Sequence, residues 1–443
     1  MDISAELADI DLLRYLWVDN ANVIRSKAVY LPPLREALTA DAGTLDRAVQ
    51  ISQAQFALPV TGDSVVVATG LLPTHDVTLV PDWHSLRALP YAPRCAAVAC
   101  DIYDGESPWE QDPRGFLRRM SRRTAEAGLT VLVGPELEFM LLTRAADGSV
   151  EPADATVFCQ DSAADLHAAV VADLAAALSA QGVDLAQIHP ESAPGQFEIS
   201  LRPLPPVAAA DAIVIARQTV KATARAHGLV ASFLPMVFGD ACASGMHLHL
   251  SLAGDDAPDG LGPHGDAFMA GVLGHLDGLL AATAPTPMSL ERFRPHYWAG
   301  AFAGWGVANK EAPLRVVPRH VGQSSGARRD VEFKACDASA NPYTALGCLL
   351  AAGLAGIAQG AALPAELVGD PGLLSADDRE ALGIRALPHD SRAVLQAFAA
   401  DEVLSAAMGA SFHSAYAAVK RDEIANLVTI SAEERTEMLL ERY

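Results

Sequence analysis

Two glutamates, two residues apart, are the first place where this chain could do chemistry. In the run PELEF, Glu136 and Glu138 alternate with apolar residues, and on a strand positions i and i+2 face the same side. Paired carboxylates on an otherwise apolar strand repel each other unless a cation or an arginine neutralises them. A solvated strand end is the plain alternative for one such pair. The pattern then recurs. HPESAPGQFEISL carries Glu191 and Glu198 on either side of a PGQ turn, GMHLHLSL sets His247 and His249 on one face, and DVEFKA adds Glu332. A lone strand glutamate is usually solvated and a lone buried histidine usually hydrogen-bonded in the core. Ionisable groups on four separate strands favour a shared site instead. Five glutamates with one or two histidines form an oxygen-rich set that suits Mg²⁺ or Mn²⁺ better than zinc. Five carboxylates exceed the needs of one such ion. Two or more ions bridging the phosphates of a nucleotide would use them all.

Such groups need strands to align them and helices to back the strands. From about 11 to 102 the runs LLRYLWVDN, SKAVYL, SVVVATG, VTLVP and AAVACDI read as strands, with one helix-like stretch near 43–57. DGESPWEQDPRG (104–115) reads as a linker. Beyond it, helices at 113–127, 161–182, 207–227 and 266–283 alternate with the strands TVLVGPELEFMLL, HPESAPGQFEISL, LVASFLPMVFG, GMHLHLSLAG, RVVP and DVEFKA. The last hundred residues are mainly helical. The pattern predicts an α+β chain with a sheet-rich unit over 1–104 and a larger unit over 105–443 whose sheet carries the site on one face.

Composition narrows the partners. At 443 residues the chain is too long for one ordinary core. A net charge of −22 repels nucleic-acid backbones and anionic membrane surfaces. Six cysteines without a CxxC pair read as reduced thiols of a cytoplasmic protein, and the acidic N-terminus is unlike a signal peptide. The uncharged run 343–363 is long enough to span a bilayer, but its alanine and glycine content favours a buried helix.

Five motifs in this order, GPELEF, HPESAPGQFEI, SGMHLHLSL, NKEAPLR and VEFKACDASANPY, resemble glutamine synthetase of the prokaryotic type. The resemblance covers nearly the whole chain. It implies an N-terminal β-grasp domain and a catalytic domain with a curved antiparallel sheet flanked by helices. It also implies a homo-oligomer, a dodecamer of stacked rings, with each active site shared between neighbouring subunits. By position, Glu138, Glu191 and Glu198 match ligands of a first metal, and Glu136, His247 and Glu332 those of a second. His249 matches the histidine near the transferred phosphoryl group. Arg292 matches the anchor of glutamate's carboxylate, and Arg315 an arginine on ATP phosphate. The implied reaction is phosphoryl transfer from ATP to a γ-carboxylate, then attack by an amine on the acyl phosphate.

Departures from the family pattern bear on the amine. The family's ammonium-reading flap glutamate is Trp298 here, within ERFRPHYWAG, where His296 and Tyr297 are read as shaping the flap. A second acid, lent by the neighbouring subunit, aligns with Gly62, with Asp63 one place along. Loss of both removes the Coulombic hold on a small cation, whereas an indole can pack on an organic amine or hold its cation. Cys242 and Ala243 replace an asparagine–glycine pair beside the glutamate amino group. Lys310 and Lys334 replace phosphate-side arginines, keeping charge without the bidentate fork. The expectation is a γ-glutamyl-amine ligase using ATP, Mg²⁺ or Mn²⁺, an acid and an amine other than ammonia. The alternatives are a silent scaffold and a true glutamine synthetase. Trp305 reads as packing.

Overall fold

The apolar runs of the first hundred residues pair into one sheet. Its strands are β1 (Leu12–Val18), β2 (Ile24–Tyr30), β3 (Val49–Ser52), β4 (Asp76–Pro81), β5 (Arg87–Ala88), β6 (Cys95–Asp104) and β7 (Ser107–Pro108). The order is β2-β1-β6-β4-β3, with β5 and β7 also on β6. Strand β1 lies parallel to β6, while β2 runs antiparallel to β1. Leu13, Tyr15 and Trp17 alternate along β1 and close a core with Val77, Leu79, Val98 and Phe56. Leu16 and Val18 face the other way and pack, with Cys95 and Ala97 of β6, into the main core, so the sheet is covered on both faces there. The structure is a computed structural model and describes residues 3–35, 37, 45, 49–239, 242–253, 261, 262, 264–318 and 330–443.

A second sheet carries the acidic motifs. It comprises β8 (Thr130–Arg144), β9 (Val150–Pro152), β10 (Leu185–Pro190), β11 (Gln196–Leu201), β12 (Val230–Ser232), β13 (Met246–Ala253), β14 (Trp305–Val307), β15 (Leu314–Val317) and β16 (Asp330–Phe333). The order is β10-β11-β8-β13-β16-β15-β14, with β9 and β12 on β8. Within this sheet only β14 and β15 pair in parallel among the described strands. Leu137 and Phe139 point away from the glutamates into the main core, where Phe139 meets Phe197 and Phe233. The helix Pro206–Ala226 backs that face with Ile213, Val214 and Val220 buried. Trp305 also packs on this core and donates its Nε1–H to the Pro364 carbonyl.

The uncharged run near the C-terminal half is a core helix, Pro342–Gln359. Its glycines make close packing possible. A Cβ on Gly353 would lie 2.0 Å from the Phe268 ring, and one on Gly356 would lie 2.6 Å from Gly271 Cα. A surface so matched to the helix Gly265–Gly274 faces protein, not lipid.

Several expected elements differ. SVVVATG is not a strand: Val67–Thr69 form a 3₁₀ turn closed by Gly70 at φ 76°. In the helix-like stretch near 43–57, positions 43, 44 and 46–48 lie outside the described residues. Val49–Ser52 pair instead with β4, and Gln53–Ala57 form a 3₁₀ helix. LVASFLPMVFG is extended only over β12; Pro235 cannot donate to a ladder. The helices expected at 161–182 and 266–283 each break at a histidine. His167 bonds Asp154 at 3.0 Å, and His275 bonds Asp401 at 2.7 Å.

Candidate active site

Strand register converts the sequence motifs into one row of side chains. Glu138 lies opposite Glu198, Glu136 opposite His247, and Glu332 opposite both His249 and Arg315. Directly opposed residues on a sheet face are neighbours, so the row is continuous across five strands. All of these except His249 line a cavity of about 220 Å³ together with Glu191, Arg292, Lys310 and Lys334. Cys242, Ala243 and Trp298 border it too. His249 lies beside it, its Nε2 3.4 Å from Glu136. Gly62 and Asp63 do not reach this cavity; they line a separate one.

The row has two electrostatic ends. At one, Glu332 is 1% exposed and carries its own cations. Arg315 Nε bonds one carboxylate oxygen and Lys334 Nζ lies 3.2 Å from the other. Burial opposes ionisation there, but Lys334, the two histidines and Arg315 hold the carboxyl well below its usual range. Burial likewise opposes ionisation of Glu136, and the neighbouring His247 and His249 overcome it and hold its carboxyl well below the usual range. Asp330 bonds His249 Nδ1 and turns Nε2 inward. His249 is raised to about 10: burial works against its cation, and Asp330, Glu136 and Glu332 outweigh it.

The other end holds Glu138, Glu191 and Glu198, with His189 beside Glu191 and Glu198 and His247 Nε2 3.8 Å from Glu138. Burial, then the charges of Glu138 and Glu198, push Glu191 up to about 7. His189 rises to about 9 through its bond to Glu198, against burial. Carboxylates crowded until one prefers its proton are the signature of a place for a cation. Ligand atoms come within 4.8 Å of one another in three groups: Glu136, Glu198, His247; Glu136, His249, Glu332; and His189, Glu191, Glu198. The donors are mostly carboxylate oxygens, so the residues fit hard divalent ions.

Arg292 sits at the floor, 2% exposed, with Nη1 donating to the Cys336 carbonyl at 3.0 Å and 3.6 Å from Asp337. Its Nε has no partner among the described residues. A Cβ on Gly245 would fall 2.6 Å from Arg292 Nη2 and 2.8 Å from His247 Nε2, so only glycine lets the chain pass between them.

Trp298 forms the rim. Its ring meets Phe158 edge-on at 5.6 Å, and the Lys310 ammonium stands 4.8 Å above it. Trp298 and His296 both hold left-handed backbone, φ 56° and 69°. Their amides converge on the carboxylate of Glu311, which is 6% exposed.

Glu311, His189, Asp330, Gln196 and Phe158 were not singled out from the sequence. His189 and Asp330 each stand two positions before a chosen glutamate, so the alternation that found Glu136 with Glu138 could have found them. So could Gln196, two positions before Glu198, whose amide bonds Glu138 and the Ala243 carbonyl; Glu311 carries no such signal.

The chain was compared with known proteins. A family model described as glutamine synthetase, catalytic domain, matches residues 110–442. A gamma-glutamylpolyamine synthetase of Streptomyces coelicolor is 38% identical over 420 residues, covering 92% of this chain and 88% of that relative. A glutamine synthetase of Methanocaldococcus jannaschii is 33% identical over 364 residues, covering 79% of each. A solved structure described as a novel glutamine synthase homolog superimposes with TM-score 0.84 at 29% identity, covering 98% of this chain and 99% of that one.

Proposed function

Because this chain belongs to the glutamine synthetase family, we propose that its cavity joins the γ-carboxylate of glutamate to an organic amine at the expense of ATP. It is a carbon–nitrogen ligase. The observation that carries the choice of amine is the rim. The indole of Trp298 already accepts an ammonium, that of Lys310, and the nearest carboxylate, Glu311, is committed to backbone amides. An aromatic face that takes an alkylammonium suits a polyamine, the kind of substrate named for the Streptomyces relative.

In this reading Arg292 holds the substrate carboxylate through its unpartnered Nε, with Cys242 and Ala243 beside the acid. Arg315, Lys310 and Lys334 hold the phosphates, and His249, oriented by Asp330, faces the phosphoryl group in flight. The γ-carboxylate oxygen attacks the terminal phosphorus and ADP leaves; the amine nitrogen then attacks the acyl carbon, phosphate departs, and the amine gives up a proton. Mg²⁺ or Mn²⁺ held by Glu138, Glu191 and Glu198, and by Glu136, His247 and Glu332, would neutralise charge between ATP and the acid. The site is assembled in a cytoplasmic homo-oligomer, where Gly62 and Asp63 would reach a neighbour's cavity.

ATP-dependent phosphate release with glutamate and a panel of ammonium, methylamine, putrescine and spermidine tests this. Polyamines should give the highest kcat/KM. Equal turnover with ammonium would overturn the amine assignment, and no release with any amine would overturn the ligase reading.

A further inference from the structure

A second cavity, of about 870 Å³, opens between the N-terminal sheet and the helix Pro206–Ala226. Its wall reverses the sign of the molecule. In a chain of net charge −22, six cationic side chains line it, Arg14, Arg25, Arg217, Lys221, Arg225 and Arg442, against two carboxylates, Asp63 and Glu441. Among the described residues only Arg25 of the six has an ion-pair partner, Asp19. Glu441 is itself engaged by Arg144.

Arg217 makes the case sharper. It is 2% exposed, its Nη1 reaches only the Asn22 amide oxygen at 3.3 Å, and its Nε finds no acceptor among the described residues. Buried charges in proteins are paired or bind an ion. One turn along the helix, Lys221 donates to the Glu441 backbone carbonyl at 3.1 Å, with no carboxylate partner. Burial, then the charge of Arg217, with Arg225 adding to it, push this lysine down to about 7. Cations so close would be relieved by a shared anion.

We propose that this cavity binds a small polyanion carrying two or more phosphate or carboxylate groups, held by Arg14, Arg217, Lys221 and Arg225. Guanidinium forks suit the paired oxygens of either group. Because Arg14 belongs to β1 and the other three to the helix Pro206–Ala226, the ligand would tie the N-terminal sheet to the helix that backs the acidic strands. The four residues proposed to hold the ligand are distinct from those lining this chain's own ligase cavity, and the proposal does not depend on that assignment.

Calorimetry on the full chain in its native assembly tests it, with the protein stripped of metal over a chelating resin and kept free of soluble chelator. The ligase cavity keeps Arg315, Lys310 and Lys334, so the binding that the variants below remove is what reports this cavity. Sodium tripolyphosphate and, separately, citrate should bind saturably at one per chain, and more weakly as salt rises. Binding of tripolyphosphate alone assigns a phosphate ligand; binding of citrate as well assigns the bare charge. The double variant Lys221→Met/Arg225→Gln, and independently Arg14→Gln, should weaken binding tenfold or more. No binding of either anion, as when a second copy of the chain covers the cavity, overturns the proposal. So does affinity unchanged in both variants.

Discussion

Glu311 grips Trp298 by its backbone: one carboxylate oxygen accepts the Trp298 amide at 3.1 Å, and the other accepts that of His296 at 3.3 Å. Both residues sit at positive φ, a region that costs a side-chain-bearing residue on the order of 1 kcal/mol or more. Two such residues with amides aimed at one buried carboxylate form a small anion nest. The flap is therefore strained locally and held from a distance.

Glu311→Ala removes that hold. Hydrogen bonds to a charged group are worth about 1.5–3 kcal/mol, so the flap conformation should lose at least a tenfold preference. The expected result is a tenfold or larger rise in KM for the amine, with glutamate-dependent phosphate release on ammonium less affected. Steady-state kinetics with each substrate varied in turn would show it. Equal losses for ATP, glutamate and amine would point to general disruption instead.

Trp298→Glu exchanges an aromatic face for an acid in the place where the sequence resemblance puts the family's flap glutamate. Cation–π contacts are worth roughly 0.5–2 kcal/mol, so kcat/KM for a polyamine should fall about tenfold while ammonium-dependent product rises. Lys310, now 4.8 Å from the ring, would pair with the new carboxylate and limit the gain. Product analysis by mass spectrometry distinguishes glutamine from the γ-glutamyl amide. No gain in glutamine would mean that the rim does not choose the amine.

What could be read in the sequence was local and periodic. Glu136 with Glu138, and His247 with His249, announce themselves because a strand repeats every two residues. Their shared cavity could be anticipated from the number of such strands. Register could not be anticipated: nothing local states that Glu138 meets Glu198 across the β8–β11 ladder. Glu311 was invisible for the same reason, since its function lies in amides 13 and 15 positions away. The helix breaks at His167 and His275 come with bonds to Asp154 and Asp401, and SVVVATG turns where the Val66 amide bonds the Ala57 carbonyl. Each of these involves a partner outside its own run.

Glu138→Gln separates the charge of a proposed metal ligand from its place in the fold. Glu138 Oε2 also accepts the Gly245 amide at 2.7 Å, and a glutamine keeps that acceptor. The variant should fold with an unchanged far-ultraviolet circular dichroism spectrum. Its thermal stabilisation by Mg²⁺ or Mn²⁺ should shrink, as expected when affinity for a stabilising ligand drops, and ATP-dependent phosphate release should fall by a hundredfold or more. Full metal-induced stabilisation in the variant would remove Glu138 from the ligand set.

Lys221 gives a pH dependence outside the acidic cavity. Its folded value, about 7, lies below the ordinary 10.5 because of burial and the neighbouring Arg217 and Arg225. Below pH 7 both folded and unfolded chains carry the proton, and the folded one bears the full repulsion. Between about 7 and 10.5 the unfolded chain binds more protons at this position, so the destabilisation is relieved progressively as pH rises. Lys221→Met should therefore raise the Tm at pH 6.5, and the gain should shrink by pH 9.5. Tripolyphosphate should abolish the difference at pH 6.5 by giving the ammonium a partner. A gain that is the same at both pH values would show that Lys221 acts through packing and not through its charge.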